Sequence, residues 1–505
     1  MVTSPAPVLG VVGCGAMGRG IAQIAAQAGI AVRLFDARPE GAAEARSGVA
    51  DAWQRLVTKG KMALADAEAA VERLCVCHGL EAMAGCDVVV EAIVEELEAK
   101  RALLRALEPI VGEGCILATN TSSLSVTAMA AGLSRPKRVA GFHFFNPVPL
   151  MKVVEVVAGL LTDAAVVDAL VALGQRMGHT AVRAKDTPGF IVNHAGRGFG
   201  TEGLRILAED VTSAPDLDRI LRDTAGFKMG PCELMDLTGL DVSHPVMESV
   251  YRQFYDEPRF RPQPLTRQML AAGLLGRKAG RGFYAYEEGV QVRAPEPPAP
   301  ATRPSSVWVS GARPQLAGRI VELVRQLGGH VDDGTVPAAS SLCVVTPLGE
   351  DTTTLAVRER LDPARTVAVD ALFDLGRRRV VMTSPVTSPA MRDAAQGLLA
   401  ADGVPVSVIR DSTGLVAQRV VATIINIACD IAQQRIATPE DVDRAVVLGL
   451  GYPHGPLAWG DRLGPVTVLE ILEAIHGLSG DPRYRPSPWL RRRALLAKSL
   501  LTPEA

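Results

Sequence analysis

The sequence predicts an α/β domain of the doubly wound type followed by an all-α domain, with the pair repeated in degenerate form in the C-terminal half. Three observations carry this. Short apolar runs alternate with helical patterns over the first ~185 residues, the signature of a mostly parallel sheet. Helical patterns alone follow, as far as about Tyr286. A shift of 225 then lays the second half on the first without a gap. Asp186, Asp218, Gly226, Gly230-Pro231, Asp236 and Gly239 fall on Asp411, Asp443, Gly451, Gly455-Pro456, Asp461 and Gly464. Repeated Gly, Pro and Asp in one register mark an internal duplication.

Taken in order, Val8–Val12 reads as a buried strand and residues 20–28 as a helix, with Gly29 at its C-cap. Ala31–Phe35 is a second strand. Residues 87–90, 115–118, 138–142 and 153–157 are further strands, and 95–107 is a helix between two of them. These give a first α/β domain over residues 1–185 and a helical domain over 186–290. Residues 291–304 form a linker, because 294–304 (APEPPAPATRP) hold five prolines and fit neither a helix nor an inner strand. A degenerate α/β region over 305–410 opens at Val307-Trp308-Val309. A second helical domain covers 411–505.

Composition excludes several classes. With 53 basic and 55 acidic residues the net charge is −2, so no polycation for nucleic acid and no basic face for a lipid surface is expected. No run reaches ~18 uninterrupted apolar residues, so no spanning helix is expected. Met1 to Pro7 has no basic stretch ahead of an apolar one, so no signal peptide is expected. Eight cysteines are scattered without a CxxC pair. Cys75-Val76-Cys77-His78 lacks a second ligand pair at zinc-site spacing, so no metal site is expected. Reduced thiols and a cytoplasmic location fit this usage.

Gly13-Cys14-Gly15-Ala16-Met17-Gly18 fits GxGxxG, with a strand before it, a helix after it and Asp36 ending the next strand. That context makes it a dinucleotide loop of the Rossmann type. Gly13 permits the turn, Gly15 lets the backbone approach the pyrophosphate, and Gly18 lets helix and strand pack. The helix N-terminus then faces the phosphates. Asp36 can bond the adenosine ribose and repels a 2′-phosphate, so NAD rather than NADP is expected, although Arg38 stands two residues on.

Gly141-Phe142-His143-Phe144-Phe145-Asn146-Pro147-Val148-Pro149 puts a histidine at a strand end, with Glu155 beyond two prolines. If the chain doubles back there, the two side chains meet, and a carboxylate-oriented imidazole has the wiring of a general base. From the residues alone, a histidine on an apolar strand is more often one satisfied within the core.

The segment 141–157 (GFHFFNPVPLMKVVEVV), with 120–127 (NTSSLSVT) before it and 185–193 (KDTPGFIVN) after it, closely resembles the L-3-hydroxyacyl-CoA dehydrogenase family. Residues 88–100 (VVVEAIVEELEAK) and 276–286 (GRKAGRGFYAY) match as well. The resemblance covers about 8–286, with a weaker second lap over about 305–505, as in long bacterial members. It implies NAD-dependent oxidation of an L-3-hydroxyacyl-CoA to the 3-oxoacyl-CoA. His143 would then be the base on the 3-hydroxyl and Glu155 its partner. Ser122 would bond the reacting oxygen, and Asn193 would bind it from the helical domain. Glu95 and Lys100 would lie near the nicotinamide and its ribose, and Lys59 and Lys61 would meet the CoA phosphates. Each has a plainer reading: a helix cap for Ser122, buried backbone partners for Asn193, and solvated surface charge for the lysines. Arg197 is the candidate partner for a terminal carboxylate, should the acyl chain be a 3-hydroxyadipyl rather than a 3-hydroxybutyryl group. A dehydrogenase of a free 3-hydroxy acid and a non-catalytic nucleotide-binding relative are the alternatives.

The second lap is expected to be silent and to serve as an internal partner, making an intrachain pseudo-dimer that leaves room for a further homo-oligomer. Asn193 falls on Gln418. His330, the one histidine in 305–410, lies outside any HFFNP-like motif. Val307-Trp308-Val309 runs into Ser310-Gly311-Ala312-Arg313-Pro314, which lacks GxGxxG.

Overall fold

Eight short runs pair into one sheet in the computed structural model, which describes residues 7–293 and 295–504. Residues 1–6, read above for a signal peptide, and Ala294 of the proline-rich segment lie outside the described residues. The strands are β1 (Val8–Val12), β2 (Ala31–Phe35), β3 (Leu74–Val76), β4 (Val88–Glu91), β5 (Ile116–Thr119), β6 (Val139–Phe144), β7 (Val153–Ala158) and β8 (Thr180–Lys185). Their order is β3-β2-β1-β4-β5-β6-β7-β8. Every pairing is parallel except β6 with β7. The helices are α1 (Ala16–Gln27), α2 (Gly41–Thr58), α3 (Leu64–Glu72), α4 (Leu97–Leu107), α5 (Val126–Ala130) and α6 (Ala164–Arg176). Central strands β4, β5 and β6 are buried throughout, which is why they read as unbroken apolar runs. Strands β3 and β8 were not expected from sequence. The first has three residues, and the second alternates buried Val182 and Ala184 with exposed Arg183 and Lys185, as an edge strand does.

The chain separates into two compact units that cut across the expected boundaries. The first holds residues 7–194 together with Gln434–Leu450 from the second lap. The edge strand β8 explains this. The Lys185 amide donates to Ile436 O at 2.9 Å and the Arg183 amide to Asp441 Oδ2 at 3.4 Å. A helix over Pro439–Leu450 lies on β7 and β8. The exposed edge is thereby paired and covered.

The second unit holds Ala195–Gln433 and Gly451–Glu504. After α7 (Val192–Ala195) come α8 (Arg197–Ala208), α9 (Ala214–Ala225), α10 (Pro231–Thr238), α11 (Leu240–Gln253) and α12 (Pro264–Ala271). A hairpin of β9 (Tyr286–Glu287) and β10 (Val290–Gln291) precedes the linker. A second sheet follows, in the order β11 (Val307–Val309), β12 (Leu342–Val345), β13 (Thr366–Val369), β14 (Arg379–Thr383) and β15 (Val406–Ile409). Helices α13 (Pro314–Gln326), α14 (Thr352–Arg358) and α15 (Pro389–Leu399) accompany it. The second helical copy is α16 (Val416–Gln433), α17 (Pro439–Leu450), α18 (Pro456–Leu463), α19 (Pro465–Ser479) and α20 (Pro488–Leu495). Of these, α17 is the helix that sits in the first unit. Like β6 with β7, β13 runs antiparallel to β14.

The repeated residues are structural. Asp186 accepts from the amides of Val126 and Thr127 at 3.0 and 2.7 Å, and Asp411 does the same for Thr352 and Thr353 at 2.8 and 3.2 Å. Each caps the helix after an inner strand. Asp236 holds the amides of Phe283 and Tyr284, both at 2.9 Å, and Asp461 that of Leu500 at 2.7 Å. The exchange at the edge strand is also repeated. Within the second unit the Arg410 amide donates to Val211 O at 3.0 Å, which is the Lys185–Ile436 bond shifted by 225 at one end and by the same amount in reverse at the other.

Helix α8 crosses α16 closely: a β-carbon on Gly198 would stand 3.0 Å from Ile427 Cδ1. Beside that crossing, Glu202 is fully buried. It accepts from Arg419 Nε at 2.9 Å and Tyr484 Oη at 2.7 Å. Burial works to raise its carboxyl, but Arg419 and Arg483 outweigh that and hold it below the usual range. Removing one partner of a buried pair leaves the other charge uncompensated. Glu202→Ala is expected to cost roughly 3–5 kcal/mol of stability, read as a lower urea midpoint; an unchanged midpoint would show the network to be dispensable.

Candidate active site

Strand pairing brings the site together. Residues 143 and 155 are direct partners across the antiparallel β6–β7 pair, so His143 Nδ1 lies 2.6 Å from Glu155 Oε2. Both side chains are buried. The other carboxylate oxygen, Oε1, accepts from the amides of Ile191 and Val192, each at 2.9 Å. Those amides open α7, where helix N–H groups have no partner within the helix and favour an anion. The chain reaches them through Gly189 (φ +76°) and Phe190 (φ +51°). A left-handed backbone at a bulky residue is strained and needs surrounding support. Phe190 packs edge-on against the His143 ring at 5.8 Å, and Phe145 tilts against it at 4.4 Å.

Asn193 was expected from the helical domain, but it falls in the first unit with His143. Its Nδ2 donates to Ser122 O at 3.3 Å. Ser122 follows β5, and its hydroxyl and amide both reach Glu95 Oε1, at 3.2 and 2.8 Å. Glu95 also accepts from Thr121 Oγ1 at 2.7 Å. Burial works against ionising Glu95, yet Lys100 and these donors hold its carboxyl below the ordinary range. Lys100 is buried and bonds both oxygens of Glu91 at 2.9 Å, with Glu95 Oε2 at 3.4 Å. Glu91, at the end of β4, also accepts from Thr119. Sequence reasoning missed this buried carboxylate, although an acid closing an otherwise apolar strand was the signal for it.

The glycine loop has the shape a dinucleotide needs. A β-carbon on Gly13 would meet Ala92 O at 2.7 Å, and one on Gly18 would meet Gly13 O at 1.8 Å. One on Gly15 would meet nothing within 4 Å, so the backbone there is open to a close ligand at the α1 N-terminus. Asp36 accepts from the amides of Cys14 and Arg38 at 2.7 and 2.9 Å. Burial opposes these bonds, which hold its carboxyl low. Lys59 and Lys61 lie exposed in the turn after α2, on either side of Gly60. The structure does not bring them into the hydrogen-bonded cluster around His143. Arg197 opens α8 in the second unit, where burial pulls its guanidinium down against the opposing influence of Tyr452.

The second lap holds a counterpart without the chemistry. The 225 shift puts Ala368 at the place of His143, but the strand here is offset by two residues, so Asp370 stands seven residues after Pro363, as His143 does after Pro136, each proline opening a short turn before the strand. Its amide reaches Val380 O at 3.2 Å, and Val380 is Glu155 shifted by 225. Gln418, shifted from Asn193, donates to Asp370 Oδ1 at 3.1 Å and Pro347 O at 3.0 Å, and accepts from the Gly349 amide at 2.9 Å. The two buried side chains here are bonded to each other and Gln418 to the backbone. Between β11 and α13 there is no positive-φ glycine. Among the described residues no group of three or more His, Cys, Asp or Glu is placed to hold a metal, and no helix is long and apolar enough to cross a membrane.

The family model described as 3-hydroxyacyl-CoA dehydrogenase, NAD binding domain, matches residues 8–187. That for the 3-hydroxyacyl-CoA dehydrogenase C-terminal domain matches twice, at 189–286 and 414–499. The chain is 38% identical over 488 residues to 3-hydroxyadipyl-CoA dehydrogenase of Escherichia coli (strain K12), covering 96% of this chain and 97% of that protein. It is 40% identical over 278 residues to a probable 3-hydroxybutyryl-CoA dehydrogenase of Bacillus subtilis (strain 168), covering 55% of this chain and 96% of that one. A crystal structure of 3-hydroxybutyryl-CoA dehydrogenase from Escherichia coli K12 superposes with a TM-score of 0.85 at 36% identity, covering 98% of this chain and 99% of the other.

Asp370 gives a pH prediction. Burial pushes its carboxyl up to about 6, against the bonds from Gln418 and Leu372. The folded chain therefore keeps this proton between about pH 4 and 6 while the unfolded chain has lost it, so stability falls as pH rises through that window. Asp370→Asn should raise Tm relative to the parent at pH 7.5, with the gain shrinking to nothing near pH 4. A gain that is the same at both pH values would contradict this.

Proposed function

The chain belongs to the 3-hydroxyacyl-CoA dehydrogenase family, and we propose that the His143–Glu155 pair is the acid–base centre of its reaction. That reaction is the NAD-dependent, reversible oxidation of a 3-hydroxyacyl-CoA to the 3-oxoacyl-CoA. The observation that carries the assignment is the divided Glu155 carboxylate, with one oxygen on the imidazole at 2.6 Å and the other on two amides at 2.9 Å. An acceptor fixed in that way calls for the proton on Nδ1. It leaves Nε2 to take the proton of an L-3-hydroxyl, and to return it in reduction. Bound NAD supplies the hydride acceptor.

The other assignments follow from the neighbours. Ser122 Oγ and the Asn193 amide hold the reacting oxygen. Glu95 fixes Ser122, and Lys100 fixes Glu95 from within the protein, a role different from direct contact with the ribose. Gly13, Gly15 and Gly18 seat the pyrophosphate on α1, and Asp36 favours NAD over NADP. Lys59 and Lys61, exposed and close together, suit capture of the CoA phosphates. Eight free thiols support the reducing cytoplasm as the compartment. The two helical copies, α17 apart, packed within one unit support the reading of an intrachain pseudo-dimer.

His143→Gln should lower kcat by roughly 10²-fold or more with NADH binding retained by fluorescence titration. Glu155→Gln should also lower kcat. Near-normal turnover in His143→Gln would reject the assignment. Activity on free 3-hydroxy acids equal to that on the CoA thioesters would point to the rival substrate class. Since Asp370, Gln418 and the Ser310–Pro314 turn replace the binding groups of the second lap, NADH titration should give one equivalent per chain; two equivalents would show a second working site.

A further inference from the structure

The acid–base mechanism leaves unused a contact between the two laps that lies wholly inside the first unit. Helix α17 turns one face onto the first sheet: Val442, Ala445 and Val446 are buried, and Gly449 continues that face one turn on. A β-carbon on Gly449 would lie 2.9 and 3.1 Å from the two γ-carbons of Val192 and 3.5 Å from Val153 Cγ1. Val192 is the residue whose amide bonds Glu155 Oε1. It is also the neighbour of Asn193, and Val153 lies on the strand that carries Glu155.

Glycine inside a helix costs about 1 kcal/mol relative to alanine, so its presence needs a packing or functional reason. The fold of the helix does not demand it. The first-lap counterpart, shifted by 225, is Thr224, buried in α9 with its hydroxyl on Ile220 O at 2.7 Å. The counterpart of Val192 is Ala417. At the place related by the shift, a larger residue on α9 thus corresponds to a smaller one in the first turn of α16, and beside the His143–Glu155 pair the sizes are reversed.

We propose that Gly449 is a positioning residue for the first-lap acid–base pair: by admitting Val192 against α17, it sets where the Val192 amide meets Glu155 and where Asn193 begins. The route is continuous, from Gly449 to the Val192 side chain, to its amide, to Glu155 and to His143 Nδ1. The second lap thus takes part in the reaction of the first through a packing contact, without any reactive group of its own. This inference rests on the proposed role of His143 and Glu155.

Gly449→Ala tests it in the full chain. Added volume must displace Val192, and small displacements of reacting groups are costly in rate. We expect kcat to fall roughly tenfold, with the substrate KM and NADH affinity near the parent values. Val192→Ala combined with Gly449→Ala should restore kcat, because the removed methyls make room for the added one. Val447→Ala, on the exposed face of the same helix, should leave kcat unchanged. Unchanged kcat in Gly449→Ala would overturn the proposal. So would a loss that appears equally in NADH affinity and Tm and is not relieved by Val192→Ala, since that is a general folding defect. Normal turnover in His143→Gln would instead overturn the assignment beneath it, whatever Gly449→Ala does.

Discussion

A fully buried carboxylate has to have every lone pair answered, and Glu155 is the place where this chain meets that demand. One oxygen is answered by His143 from the neighbouring strand. The other is answered by two amides that the chain can deliver only by leaving β8, turning through Gly189 and Phe190 in left-handed conformation, and starting α7 at Val192. The antiparallel step in an otherwise parallel sheet sets residues 143 and 155 opposite each other. The same helix start places Asn193 beside Ser122. Sheet register, backbone strain and reactive geometry thus meet at one buried carboxylate.

In the second lap that carboxylate is absent; the antiparallel step and a left-handed glycine (Gly414, φ +83°) remain, but the strained residue after the glycine does not. Val380 stands where Glu155 would, and an apolar strand residue asks for no amides. The helix that is broken at Gly196 in the first lap runs uninterrupted from Val416 to Gln433 in the second. Gln418 then spends its amide on Pro347, Gly349 and Asp370. Both donors of the Gln418 side-chain amide are thereby used within the protein, and none is left for a ligand. The packing features survive because Asp411 and the turn glycines still cap helices and Asp461 still holds the turn at Leu500, needs that are independent of catalysis.

Much of this was legible in the residues. The strands with both faces covered, the glycine loop and the His143–Glu155 reversal all come from local patterns: unbroken apolar runs, GxGxxG between strand and helix, and two prolines at a turn. The 225-residue shift was legible because caps and turns tolerate few residue types. Three things were not. Strand β8 alternates with arginine and lysine on its open face and reads as a surface segment. Lys100 looks like a solvated helix residue until Glu91 and Glu95 are seen on either side of it. The passage of Gln434–Leu450 into the first unit is a long-range contact, and no local pattern records which sheet edge a helix will cover.

That passage also governs the order in which the chain can fold. A polypeptide emerges from its N-terminus, and domains ordinarily fold as they appear. Here the α/β sheet of the first unit would be complete after about 185 residues, yet β8 stays open at its edge until residues 434–450 have been made. For most of synthesis the nascent sheet carries unpaired amides on a strand bordered by apolar surface, the kind of edge that recruits foreign strands. The duplication that supplies a built-in partner therefore also lengthens the interval during which the growing chain needs protection from its neighbours.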